Sequence, residues 1–144
     1  MQATQHYRPT KRAVIGILQL ANLVSERVNE LLKPNGLSSE QFNVLRILRG
    51  RKGLPANMGD IQERMIAKMS NTTRLVEKLL AKGFVNRNIC QVNRRKVEIT
   101  ITEKGLEMLR QIDPLIEGFE NEFTSSLSEE ELALFNELAE KLKK

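Results

Sequence analysis

Residues Met69–Thr102, MSNTTRLVEKLLAKGFVNRNICQVNRRKVEITIT, decide the fold of this chain. After a polar start, Leu75, Val76, Leu79 and Leu80 recur at helical spacing, and Gly83 stops the helix. An irregular strand over Phe84–Cys90 follows. Then comes a cleanly alternating one, Lys96–Ile101, with Val97, Ile99 and Ile101 on one face. The two strands form a ribbon whose turn carries Asn93, Arg94, Arg95 and Lys96. Between Arg64 and Lys96 nine Lys or Arg stand against the single acid Glu77, a formal charge of +8. A helix that starts with Ser70, Asn71, Thr72, Thr73 and Arg74 and precedes an arginine-tipped hairpin has the chemistry to read a major groove while bracing on phosphates.

The chain on either side fits that unit. A short helix over about Asp60–Ile66, with Ile61 and Met65 inward, should lead through a tight turn at Lys68–Met69 to Ser70 as the N-cap of the next helix. Two short helices with a minimal turn between them are the helix-turn-helix pattern, and the ribbon is its wing. Upstream, Ser38 and Gln41 have capping-box spacing, and Leu37 with Phe42 has that of a hydrophobic staple. The helix they start turns Phe42, Leu45 and Leu48 inward and stops around Gly50–Gly53, before the loop LPANMG.

Long helices flank this lobe. From about Pro9 to Lys33, Val14, Ile17, Ala21, Val24, Val28 and Leu31 form a heptad seam widened by Leu18, Leu20 and Leu32, and Pro34 with Gly36 ends it. Thr102 should cap a C-terminal helix in which Leu109, Ile112, Ile116, Phe119 and Phe123 step by three and four, with Pro114 kinking or breaking it. A last helix should follow Ser128, with Glu131 as its capping partner, and carry Leu132, Phe135, Leu138 and Leu142. These outer helices hold more apolar surface than one winged helix needs, which points to packing against a second copy; the competing reading is that they complete the core of a single one. The fold class is mainly α with a small two-stranded wing. Residues 1–144 read as a single domain, with dimerisation helices at 9–33 and 103–144 and a winged helix-turn-helix lobe at 37–102.

Composition narrows the class. At 144 residues one ordinary domain buries about 68–70% of its unfolded surface. Hydrophobic content of 40% with 28% charged residues is that of a folded chain. Aromatics are only 4%, with no Trp, which argues against single-strand modules built on stacking rings. The net charge of +5 is polarised: residues 113–144 hold nine acids against three Lys. A concentrated basic patch favours a polyanion.

Arg8, Lys11 and Arg12 before AVIGILQLANLV have the outline of a signal peptide. Gln19 and Asn22 interrupt the run, no small-x-small cleavage site follows, and the apolar pattern continues to Leu31. No run approaches the roughly 20 apolar residues of a membrane span. The expectation is a cytoplasmic protein without membrane contact.

Enzyme chemistry lacks material. His6 is the only histidine, which leaves little for a metal site or for imidazole acid–base work, and Gly50–Gly53 lacks phosphate-loop spacing. Glu129, Glu130 and Glu131 read as the acidic first turn of the last helix. The lone Cys90 cannot form an intrachain disulfide and reads as a small strand residue. No catalytic residue, metal or cofactor is expected.

Residues 38–105 resemble the MarR family (multiple-antibiotic-resistance regulators), and the long flanking helices are similar to its dimerisation helices. The resemblance rests on RLVEKLLAKGFVNR at 74–87 and NRRKVEITITEKG at 93–105. Lys82, Gly83, Phe84 and Arg87 fit the end of the recognition helix and the opening of the wing, Arg95 falls on the wing arginine, and Thr102 with Gly105 on the closing Thr-x-x-Gly. The family's wing Asp is Asn93 here, an amide in place of a carboxylate. The resemblance implies a homodimeric, sequence-specific binder of double-stranded DNA. It would repress from a pseudo-palindromic operator and respond to a small molecule held near the first helix, the second helix and residues 102–109.

The residues expected at DNA are Lys68, Ser70, Asn71, Thr72, Thr73, Arg74, Lys78, Arg87, Asn93, Arg94 and Arg95. Asn pairs bidentately with adenine, Arg with guanine, and a Thr methyl meets thymine. Lys68 and Lys78 suit phosphates, and the resemblance gives Arg95 a minor-groove role. For Ser70 the competing role is a cap, for the threonines solvated helix surface, for Arg94 and Arg95 an ordinary charged turn. The competing function is a winged helix used as a protein-interaction module, its basic face docking an acidic partner.

Overall fold

The computed structural model describes residues 8–143. Its elements run α1 (Pro9–Leu32), α2 (Ser39–Gly50), α3 (Met58–Arg64), α4 (Thr72–Ala81), β1 (Val85–Ile89), β2 (Val97–Ile101), α5 (Glu103–Phe123) and α6 (Glu129–Leu142), with a 3-10 turn at Lys33–Asn35 after α1. Pro9 opens α1, where a missing N–H costs nothing, and Gly36 at φ +69° ends the 3-10 turn. The capping box of α2 closes both ways, Gln41 N–H to Ser38 Oγ at 3.1 Å and Ser38 N–H to Gln41 Oε1 at 3.2 Å.

Three expectations are corrected. Helix α3 starts at Met58 rather than Asp60 and stops at Arg64, because Asn57 is its N-cap and Asp60 its third residue. Asp60 N–H donates to Asn57 Oδ1 at 2.7 Å and Asn57 N–H to Asp60 Oδ2 at 3.1 Å. The capping box carries Gly59 into a helix that its low propensity would otherwise discourage. Second, the cap of α4 is Asn71, whose Oδ1 accepts Arg74 N–H at 3.2 Å, and Ser70 belongs to the turn before it. Third, Pro114 does not break the C-terminal helix, and α5 runs unbroken from Glu103 to Phe123. In the loop before α3, Ala56 makes an isolated bridge to Ile99 at the wing's base, each N–H donating to the other's carbonyl at 2.9 and 2.7 Å.

The wing itself is an antiparallel pair, with Val85 opposite Ile101 and Ile89 opposite Val97. Helix α6 begins at a complete Ser128–Glu131 capping box. The core gathers Leu32, Leu45, Leu48, Ile61, Met65, Val76, Leu79, Ile99, Leu109 and Ile112, all essentially sealed from solvent. It therefore lies where α1, α2, α4, the wing base and α5 meet. The outer arms are the reverse. Only Leu32 of α1 is buried and no residue of α6 is, while Val14, Ile17, Leu18, Leu20, Leu23, Phe135, Leu138 and Leu142 are exposed.

Candidate nucleic-acid interface

The turn between α3 and α4 is built around Gln62. Its Nε2 donates to Lys68 O at 2.5 Å, and its Oε1 accepts the Thr72 hydroxyl. Ser70 N–H closes the turn on Ala67 O at 3.1 Å, which agrees with the expected turn at Lys68–Met69. Asn43 of α2 holds the same segment through Ile66 N–H, at 2.9 Å. The start of α4 is thus set by side chains from two other helices.

The end of α4 is set as firmly. Gly83 at φ +78° lets its own N–H reach Leu80 O at 3.0 Å and that of Phe84 reach Leu79 O at 3.0 Å, a Schellman closure. Thr102 then binds both sides of the junction, its hydroxyl donating to Gly83 O at 2.7 Å and accepting Gly105 N–H at 3.1 Å. Gly105 is required by close approach, since a Cβ there would sit 2.4 Å from Phe84 O. Lys82 donates its ammonium to Gly36 O and to Gln41 Oε1, and Lys104 donates to Lys82 O at 2.9 Å while lying over the Phe84 ring. The Thr-x-x-Gly and Lys-Gly signatures therefore dock the exit of α4 on the start of α5.

Between these anchors, Asn71, Thr73, Arg74 and Lys78 are exposed on α4. Thr72 is not; it is 5% exposed, with its hydroxyl turned to Gln62, so it is a buried strut rather than a surface reader. Ser70 is half-buried in the turn. Lys68 is exposed, its ammonium donating to Glu63 O at the end of α3. Arg87 is exposed on β1, opposite Ile99. At the wing tip Asn93 Oδ1 accepts Arg95 N–H at 3.1 Å and Asn93 O accepts Lys96 N–H at 2.9 Å, which leaves Arg94, Arg95 and Lys96 exposed. The amide thus shapes the turn through the backbone, as an Asx-turn does.

Gln62, Asn43 and Lys104 were not among the expected site residues. Their contacts join positions far apart in sequence, and no local pattern announces them. The Asn57–Asp60 cap, by contrast, has a spacing that sequence reading can detect.

Two clefts flank the lobe. One of about 370 Å³ lies against Phe84, Glu103, Lys104, Glu107, Met108 and Gln111. Another of about 150 Å³ lies between α2 and α5, lined by Phe42, Arg46, Arg49, Asp113, Ile116, Glu117 and Glu120. Among the described residues no group of three His, Cys, Asp or Glu is placed to hold a metal, and no helix is long and apolar enough to cross a membrane. His6 lies outside the described residues.

A two-helix reading head, a two-stranded wing and flanking long helices define a winged helix-turn-helix protein. Residues 37–97 match the MarR family, whose members are transcription regulators. The chain is 24% identical over 125 residues to the transcriptional repressor MprA of Escherichia coli K12, covering 87% of this chain and 71% of that protein. Its fold matches that of an E. coli MarR mutant solved in complex with operator DNA, at a TM-score of 0.77 and 24% identity, covering 90% of this chain and 95% of that one. It likewise matches BpsR of Bordetella bronchiseptica, whose DNA binding is regulated by 6-hydroxynicotinic acid, at a TM-score of 0.84 and 18% identity, covering 96% of this chain and 97% of that one.

Proposed function

We propose that this protein is a cytoplasmic, homodimeric repressor that binds a pseudo-palindromic duplex operator and is released by a small molecule. The observation that carries the DNA reading is the exposed row Asn71, Thr73, Arg74 and Lys78 on a helix anchored at both ends, beside a wing tipped by Arg94 and Arg95. Hydrogen-bonding side chains on such a helix read base edges, while Lys68 and Lys78 neutralise phosphates and Arg95 on the wing reaches the minor groove. Two copies would present two such heads to the half-sites of a two-fold operator. The uncovered apolar side chains of α1 and α6 support the dimer.

The effector reading is supported by the cleft between α2 and α5, where Arg46 lies 5.5 Å from the centre of the Phe42 ring. The same cleft sets Asp113, Glu117 and Glu120 against Arg46 and Arg49, so its charge does not select an acid, while Phe42 and Ile116 give it an apolar wall for a small aromatic molecule. Occupation there would press on the contact between the reading lobe and α5. The test of the DNA reading is binding to duplexes of different sequence at several salt concentrations. A dimer neutralising about six to ten phosphates should lose roughly 10³–10⁵ in affinity between 50 and 200 mM salt. Binding that is flat with salt and equal for every duplex would favour an acidic protein partner instead.

A further inference from the structure

Two large apolar side chains stand unprotected at the turn of the reading head: Met69 is 97% exposed and Ile66 84%. Neither hangs from a loose segment. Ile66 N–H is held by Asn43 Oδ1, Lys68 O by Gln62 Nε2, and Ser70 N–H by Ala67 O. A turn fixed by three hydrogen bonds that still presents apolar side chains to water has the character of a contact surface. Its surroundings are mainly cationic, with Arg64, Lys68 and Arg74 exposed around it and Glu63 the neighbouring acid.

We propose that Met69 and Ile66 read thymine, seating against C5-methyl groups in the major groove beside the bases met by Asn71, Thr73 and Arg74. This rests on the DNA reading and adds a specificity element to it. Phosphates offer an apolar side chain nothing, and among the groups on the major-groove floor the thymine methyl is the apolar one. The two side chains also divide the task. Met69 is unbranched and can adapt to a methyl on either strand, whereas the β-branched Ile66 is stiff and suits one position.

Duplexes selected by the protein from a randomised pool, then remade with deoxyuridine for thymine at one position at a time, supply the test. Each contacted methyl should be worth about fourfold in wild-type affinity, the equivalent of one buried methyl group. Met69→Ser and Ile66→Ser should each abolish the thymine preference at its own position while keeping the wild-type melting temperature and salt slope. If deoxyuridine costs nothing at any position, or costs both variants as much as the wild type, the inference is overturned and the DNA reading stands. A protein that selects no duplex at all overturns both.

Discussion

Arg49 of α2 and Asp113 of α5 meet fork to fork, Nη1 to Oδ2 at 2.6 Å and Nη2 to Oδ1 at 3.3 Å. The pair ties the lobe that carries the reading helix to the long C-terminal arm, and each side chain keeps about a third of its exposure, 36% and 34%. Bidentate geometry strengthens it, while partial solvation limits it. A double-mutant cycle with Arg49→Ala and Asp113→Ala, read by urea unfolding, should give a coupling of about 1 kcal/mol. A coupling near zero would reduce the pair to a surface contact and remove it as a mechanical link between lobe and arm.

The outer helices make the second prediction. Phe119 is buried within the chain and packs against Phe123 with ring centres 5.4 Å apart and the rings tilted by 42°, so a charge there would attack the fold itself. Ile17 and Leu138 are half exposed, at 50% each, and serve better. The wild type should sediment as a dimer at micromolar concentration. Ile17→Lys together with Leu138→Lys should give a folded monomer, because an unpaired charge is costly only where the partner desolvates it. A wild type that sediments as a clean monomer would remove the two-headed geometry.

Much of this architecture was legible because it is written in local chemistry. Ser38 with Gln41, Thr102 with Gly105, Ser128 with Glu131, and the alternation Val97–Ile99–Ile101 each specify an element over a few residues. The site was less legible. Thr72 has the composition of a polar helix start, yet its hydroxyl is claimed by Gln62, ten residues earlier, and only the folded path of the turn brings them together. Asn71 took the capping role from Ser70 because the helix begins one residue later than its polar run. Ala56 joins the wing through two backbone hydrogen bonds to Ile99, a pairing with no side-chain signature.

Those two corrections separate folding from recognition. Thr72→Val leaves a shape-matched side chain without the hydroxyl and should cost about 1–2 kcal/mol of stability while leaving base preference unchanged. Asn71→Ala should cost about 1 kcal/mol through the lost cap as well as weakening DNA binding. Asn71→Asp keeps a capping oxygen, so its melting temperature should stay at or above that of the wild type while its DNA affinity falls through charge repulsion. If Asn71→Asp binds DNA as well as the wild type, position 71 only caps.

The last prediction sorts the basic residues into those that read and those that position. Arg74 and Lys78 lie one helical turn apart on α4, but a guanidinium can fork onto guanine whereas an ammonium acts as a point charge. Arg74→Ala should therefore relax preference at particular base pairs, by about 1–3 kcal/mol where the contact is bidentate. Lys78→Ala should weaken all duplexes nearly equally and make the salt slope shallower by about one unit. Arg95 sits on a wing turn held by Asn93, so Arg95→Ala should cost affinity chiefly on sites with A·T-rich flanks, where a narrow minor groove attracts an arginine. The measurement is a binding series over single-base operator variants at two salt concentrations. Should Arg74→Ala reproduce the uniform loss of Lys78→Ala, α4 would lie along the backbone rather than in the groove, and base reading would have to come from the turn and the wing.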